Sequence, residues 1–110
     1  MCAYVDLKAT QDFVKKNKGN HKIRVYKYLR FRGRANFSID MLIAPYKYTE
    51  YKPGINKSDS RSKLQNRNNI EINKGIHTYL SSKNAYYHRP YTAIVVGFTA
   101  DIYDLICVGY

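Results

Sequence analysis

The sequence predicts an α+β fold: a single small domain on a mostly antiparallel sheet of about five strands, with two short helices. Three observations carry that prediction. The chain has 110 residues, the length of one core rather than two. The stretch "HKIRVYKYLRFRGR" alternates, with Ile23, Val25, Lys27 and Leu29 on one side and Lys22, Arg24, Tyr26, Tyr28 and Arg30 on the other. Period-two alternation in β-branched and aromatic residues marks a strand. The helical stretches, by contrast, are brief and closely bounded by capping residues.

Taken in order, Thr10 suits the N-cap of a short helix "QDFVKKNKG", with Gly19 where a C-terminal cap falls. Lysines in its last turn complement the negative end of the helix dipole. The alternating strand follows, then the turn "RGRAN" and "FSIDMLIA" as the second arm of a hairpin, closed by Pro45. From Tyr46 to Asn73 the chain turns polar. "YKPG" signals a turn, and a hydrophilic loop spans about residues 53–70. "GIHTYL" reads as a strand and "SSKNAYYH" as one or two helical turns opened by Ser81 or Ser82. "YTAIVVGFTA" and "IYDLICVG" are apolar enough for central strands. Of Tyr86 and Tyr87, adjacent on that helix, one is expected to point inward and the other out.

Composition narrows the function classes. There are 19 Lys and Arg against 8 Asp and Glu, a formal charge of +11, which draws the chain toward polyanions. The last 21 residues, Pro90 to Tyr110, hold no Lys or Arg, so this end reads as core. Twelve tyrosines without a tryptophan suit half-buried sheet faces and also base stacking. No apolar run approaches the roughly 18 residues of a membrane span. The first residues lack the basic-then-apolar pattern of a secretion signal, so a cytoplasmic setting is expected. The two cysteines, Cys2 and Cys107, have neither CxxC spacing nor nearby partners, and Cys107 reads as a small buried apolar residue. The histidines at 21, 77 and 88 lack metal-ligand spacing, so no metal is expected. His77 reads as a satisfied, half-buried histidine or a polar pocket group, and Tyr79 as packing on the core side. No P-loop, GxGxxG, GxSxG or HExxH occurs, and the carboxylates are scattered rather than paired.

The segment "KGIHTYLSSKNAYY" resembles the poly-ADP-ribose polymerase stretch Gly-Lys-Gly-Ile-Tyr-Phe-Ala followed by Ser-Lys-Ser-Ala-Asn-Tyr. Gly75 and Ile76 match, and after a one-residue gap so do Lys83, Ala85 and Tyr87. "VYKYL" likewise resembles the "VYRG" strand of arginine-type ADP-ribosyltransferases. The resemblance covers about half of the chain. It implies a site for NAD or an ADP-ribose-like ligand in which Tyr87 stacks on the nicotinamide and Tyr79 supplies a second ring. Lys27 stands where an Arg or His holds the nucleotide, and His77 stands at the family's first tyrosine. The departures are specific. Tyr28 follows Lys27 where the family has glycine, and the catalytic glutamate has no counterpart except Asp104, one methylene shorter. If the chain were an enzyme, Lys27, His77 and Asp104 would carry the transfer, but these departures favour a protein that is not one. The order "VYKYLR … IAPYKYTEYKPG … NKGIHTYLSSKNA … AIVVGFTADIYDLICVG" is also similar to small proteins of unassigned function found in phages and mobile elements. That resemblance implies a viral accessory or counter-defence role in a host cytoplasm.

A nucleic-acid contact has its own candidates. Lys22, Arg24, Arg30, Arg32 and Arg34 line the alternating strand and its turn, and Tyr26 and Tyr28 interleave rings with that charge. Arg61, Lys63 and Arg67 in the polar loop offer further phosphate contacts. The expected function is therefore non-enzymatic binding of nucleic acid, or of an acidic host protein that handles it, through a basic tyrosine-rich face. A solvated sheet face and a basic surface loop are the plainer alternatives.

Overall fold

The structure is a computed structural model. It describes residues 3–31, 42–44, 50–52, 54–57, 64–72, 75–91 and 93–109. Its elements are β1 (Ala3–Tyr4), α1 (Leu7–Lys16), β2 (Lys22–Phe31), β3 (Leu42–Ile43), β4 (Glu50–Tyr51), β5 (Glu71–Ile72), α2 (Ser82–His88) and β6 (Ile94–Asp101). A short 3-10 helix over Ile102–Asp104 follows β6. The fold is α+β with two α-helices. Its chain forms two compact units, the first from Met1–Ile23, Ser58–His77 and Thr99–Tyr110, the second from Arg24–Lys57 and Thr78–Phe98.

In the first unit β1 pairs antiparallel with β5, placing Ala3 opposite Ile72 and Tyr4 opposite Glu71. The helix after β1 starts earlier than its sequence suggests. Asp6, not Thr10, is the N-cap, and its Oδ1 accepts from the Ala9 N–H at 3.0 Å. Thr10 lies one turn inside α1, almost fully buried, and its hydroxyl has a different task. It lies 2.8 Å from the Asp6 carbonyl and 3.0 Å from that of Val108, and it accepts from the Val108 N–H at 2.9 Å. The expected capping chemistry was sound, but Asp6 supplies it and frees Thr10 to hold the C-terminal segment. Gly19 does take a left-handed conformation, φ +92°, in the turn that leaves the helix. The "IYDLICVG" stretch is a correction. Instead of a central strand it forms the 3-10 helix and an extended run whose Gly109 makes a single bridge with Val5. A side chain at 109 would collide with the Tyr4 carbonyl, so only glycine lets the two backbones approach.

In the second unit β2, β3 and β4 form an open antiparallel sheet, with Arg30 opposite Ile43 and Leu42 opposite Tyr51. The order β4-β3-β2-β6 adds β6 beside β2, so the larger sheet has four strands rather than about five. Among the described residues β6 is an edge strand, where "YTAIVVGFTA" was expected to be central. The β2–β3 pairing agrees with the expected hairpin, whereas its turn and Pro45 lie outside the described residues. "GIHTYL" is a second correction. Tyr79 makes one isolated bridge with Tyr26 through reciprocal backbone bonds of 2.8 and 2.6 Å, and no strand extends from it. The core gathers Leu29, Leu42, Ala44 and Tyr51, with Val96 and Phe98 packed against it. The C-terminal third is less buried than its composition implies, since Tyr91, Ile94 and Tyr103 are exposed. No described helix is long and apolar enough to cross a membrane.

Candidate nucleic-acid interface

The surface with the most unusual chemistry lies on α2 and the turn after it, in the second unit. Ser81 caps the helix, its Oγ accepting the Asn84 N–H at 3.4 Å. Ala85, fully buried, is the one residue that seats this helix, so the flanking side chains turn outward. Both tyrosines do so: Tyr86 is 62% and Tyr87 82% exposed, where one was expected to point inward. Tyr91, in the turn, is 96% exposed. These three phenol rings forgo the burial that normally stabilises a tyrosine and are accessible to contact.

Arg89 organises this surface. Its Nη1 donates to the carbonyls of Tyr91 at 3.2 Å and Ala93 at 3.1 Å, which closes the turn around Pro90. Its guanidinium carbon sits 4.2 Å from the centre of the Tyr86 ring, within cation–π range. Among the described residues Nε and Nη2 have no protein acceptor. Beside it runs a stack of rings. His88 lies parallel to Tyr79 at 5.7 Å and meets Tyr87 edge-on at 5.1 Å. Tyr79 continues inward to Tyr28, 5.9 Å away and tilted by 38°. Sequence reasoning gave Tyr79 and Tyr87 a ring-stacking role and passed over Tyr86, His88, Arg89 and Tyr91. The readable signal was the run "YYHRPY", three tyrosines and two cationic or titratable residues in six positions.

The strand candidates separate. Lys22, in the first unit, and Arg24, in the second, are exposed. The Arg24 guanidinium lies over Gly97, where a Cβ would come within 2.6 Å of Nη2. Tyr26 is half-buried with both backbone groups bonded to Tyr79, and Arg30 is half-buried. Tyr28 is only 6% exposed, so its ring cannot stack on a base as expected. Alternation does not show what covers a face, and here the Tyr79 ring packs against Tyr28 at 5.9 Å. Arg67 is exposed in the first unit, while Arg32, Arg34, Arg61 and Lys63 lie outside the described residues.

The residues expected around a nucleotide divide between the units. Lys27, Tyr79 and Tyr87 belong to the second, His77 and Asp104 to the first. The Lys27 ammonium stands 5.8 Å over the ring of Tyr51. His77 is half-buried, with Nε2 donating to the Ile72 carbonyl at 2.8 Å, the satisfied histidine that was one expectation for it. Asp104 is exposed at the end of the 3-10 helix. Burial pushes the Tyr51 phenol and the Cys107 thiol above their ordinary pKa values, so neither is poised for chemistry near neutral pH. Among the described residues no three His, Cys, Asp or Glu side chains gather as a metal site would require. Compared with protein-family models, curated proteins and solved structures, the chain finds no match.

Proposed function

We propose that the protein is a non-enzymatic accessory protein that binds an anionic macromolecule through a basic, tyrosine-rich surface of its second unit. The observation that carries this reading is the coincidence of charge and rings. By sequence the second unit holds ten Lys and Arg against two carboxylates, a balance of +8 of the total +11. It also holds nine of the twelve tyrosines. The first unit, with nine basic and six acidic residues, is close to an ordinary surface. Long-range attraction and ring contacts therefore converge on one part of the chain. The resemblance to phage and mobile-element proteins supplies the setting, a host cytoplasm in which nucleic acid or a protein that handles it is the target.

The test is fluorescence anisotropy with labelled single-stranded and duplex oligonucleotides at several salt concentrations. The reading expects binding that weakens steeply between about 50 and 200 mM salt, as phosphate contacts require. Absence of affinity for any polyanion at the lowest salt would refute it.

A second reading keeps the ADP-ribosyltransferase-like fold, with NAD or a related adenine nucleotide as ligand. It is favoured by the parallel Tyr79–His88 pair, which places rings from both ends of that segment together. Calorimetric titration with NAD and with ADP-ribose tests it. Binding lost on Tyr87→Ala would support it, and no heat with either ligand would remove it.

A further inference from the structure

We infer that α2 and the turn after it form a platform for single-stranded nucleic acid, with a backbone phosphate on Arg89 and bases stacked on Tyr87 and Tyr91. This rests on the polyanion reading above and narrows it to one strand state and one set of residues.

Four features converge. Tyr87 and Tyr91 present rings at 82% and 96% exposure, and any base offers a π-face to such a ring whatever its sequence. The guanidinium of Arg89 is already fixed by two carbonyls and the Tyr86 ring, so binding a phosphate orders little further. By sequence no carboxylate lies between Glu71 and Asp101, so this segment itself adds no charge that repels a phosphate. Rings also outnumber aliphatic side chains here: between Ser81 and Tyr91 the aliphatic residues are Ala85, which is buried, and Pro90, and Leu80 just before the helix cap is 44% exposed. A protein partner docks by filling apolar pockets with aliphatic and aromatic anchors, whereas alternating rings and cations match unpaired bases and their phosphates. In a duplex the bases are already stacked on one another, so these rings have no flat partner there.

The experiment uses the full chain with a labelled oligothymidylate of about 12 nucleotides, a length near one binding site. Because the chain has no tryptophan, quenching of tyrosine emission reports stacking directly. Single strands should bind more tightly than duplex, and Tyr87→Ala and Tyr91→Ala should each weaken binding about ten-fold, the loss of one stacked base. Tyr87→Phe and Tyr91→Phe should keep most of the affinity, because the ring is retained. Arg89→Gln should lower the salt slope by about 0.7, the share of one phosphate contact on a single strand, with circular dichroism confirming that the variant folds. Undiminished binding by both alanine variants, or equal affinity for duplex, overturns the platform and leaves the charge-driven reading standing. Binding to polyglutamate but not to oligothymidylate also overturns it, in favour of an acidic protein partner. No binding to any polyanion overturns both.

Discussion

At the scale of single residues, Thr10 shows how far one hydroxyl can matter. It is nearly fully buried; its oxygen accepts the N–H of Val108, 98 positions along the chain, and its one proton has the carbonyls of Asp6 and Val108 within reach. Thr10→Val keeps the shape but leaves the Val108 N–H without its acceptor, while the Val108 carbonyl still accepts from the Asp6 N–H at 3.0 Å. The expected cost is about 1–3 kcal/mol in urea denaturation, the range for stranding buried polar groups. Thr10→Ser restores the hydroxyl and loses one methyl, so it should cost only about 1 kcal/mol. A Thr10→Ser variant as damaged as Thr10→Val would show that packing rather than hydrogen bonding dominates. Thr10 was legible as a residue that bonds backbone near a helix start, but not as one that does so inside the helix. Asp6 is an equally good cap four residues earlier, and no local pattern reveals that Val108 will be at hand. His77 was legible as a satisfied histidine. Tyr28 was misread because alternation shows which residues share a face but not what covers that face.

At the scale of elements, α1 starts with two side-chain acceptors, Asp6 Oδ1 for the Ala9 N–H and Asn68 Oδ1 for the Leu7 N–H. Asp6→Ala should cost about 1 kcal/mol of stability by denaturant titration, while Asp6→Asn, which caps as well, should cost little. The ten-residue β2 and eight-residue β6 were the most legible elements, because each alternates or runs apolar over a full strand length. The two-residue strands β1, β4 and β5 carry no periodicity to read, and tertiary pairing alone defines them. β4 nevertheless delivers Tyr51 to the core, 5.8 Å from Phe98. Burial raises the Tyr51 pKa, so the folded chain holds that phenolic proton more tightly than the unfolded chain does. The resulting stability is full below pH about 10, the unfolded value, and is lost as pH rises through the folded one. The urea midpoint should therefore fall above pH about 10, and less steeply in Tyr51→Phe. An identical alkaline slope in that variant would assign the effect to other groups.

At the scale of the whole molecule, the net charge of +11 is a sum that conceals a partition. Linear sequence places most basic residues in its first two thirds, which suggests one diffuse basic surface. The fold sorts them differently, +8 into the second unit and +3 into the first. It does so because the second unit draws on two distant stretches, 24–57 and 78–98, that are both poor in carboxylates. Only long-range pairing brings such stretches together, so local pattern could not show the asymmetry, and the "YYHRPY" platform was likewise hidden among residues read as helix and core. The partition has a measurable consequence. Each phosphate contact made by a single strand contributes about 0.7 to the slope of log affinity against log salt. Neutralising exposed cations of the second unit, Arg24→Gln, Lys52→Gln and Lys83→Gln together, should flatten that slope toward about two units less, if all three meet phosphates. The matched triple in the first unit, Lys8→Gln, Lys16→Gln and Lys18→Gln, removes the same charge and should leave the slope nearly unchanged. Net charge alone would make the two triples equivalent, whereas a localised interface separates them. Equal slopes would mean that the chain binds as a diffuse polycation and that its tyrosine-rich unit has no privileged role.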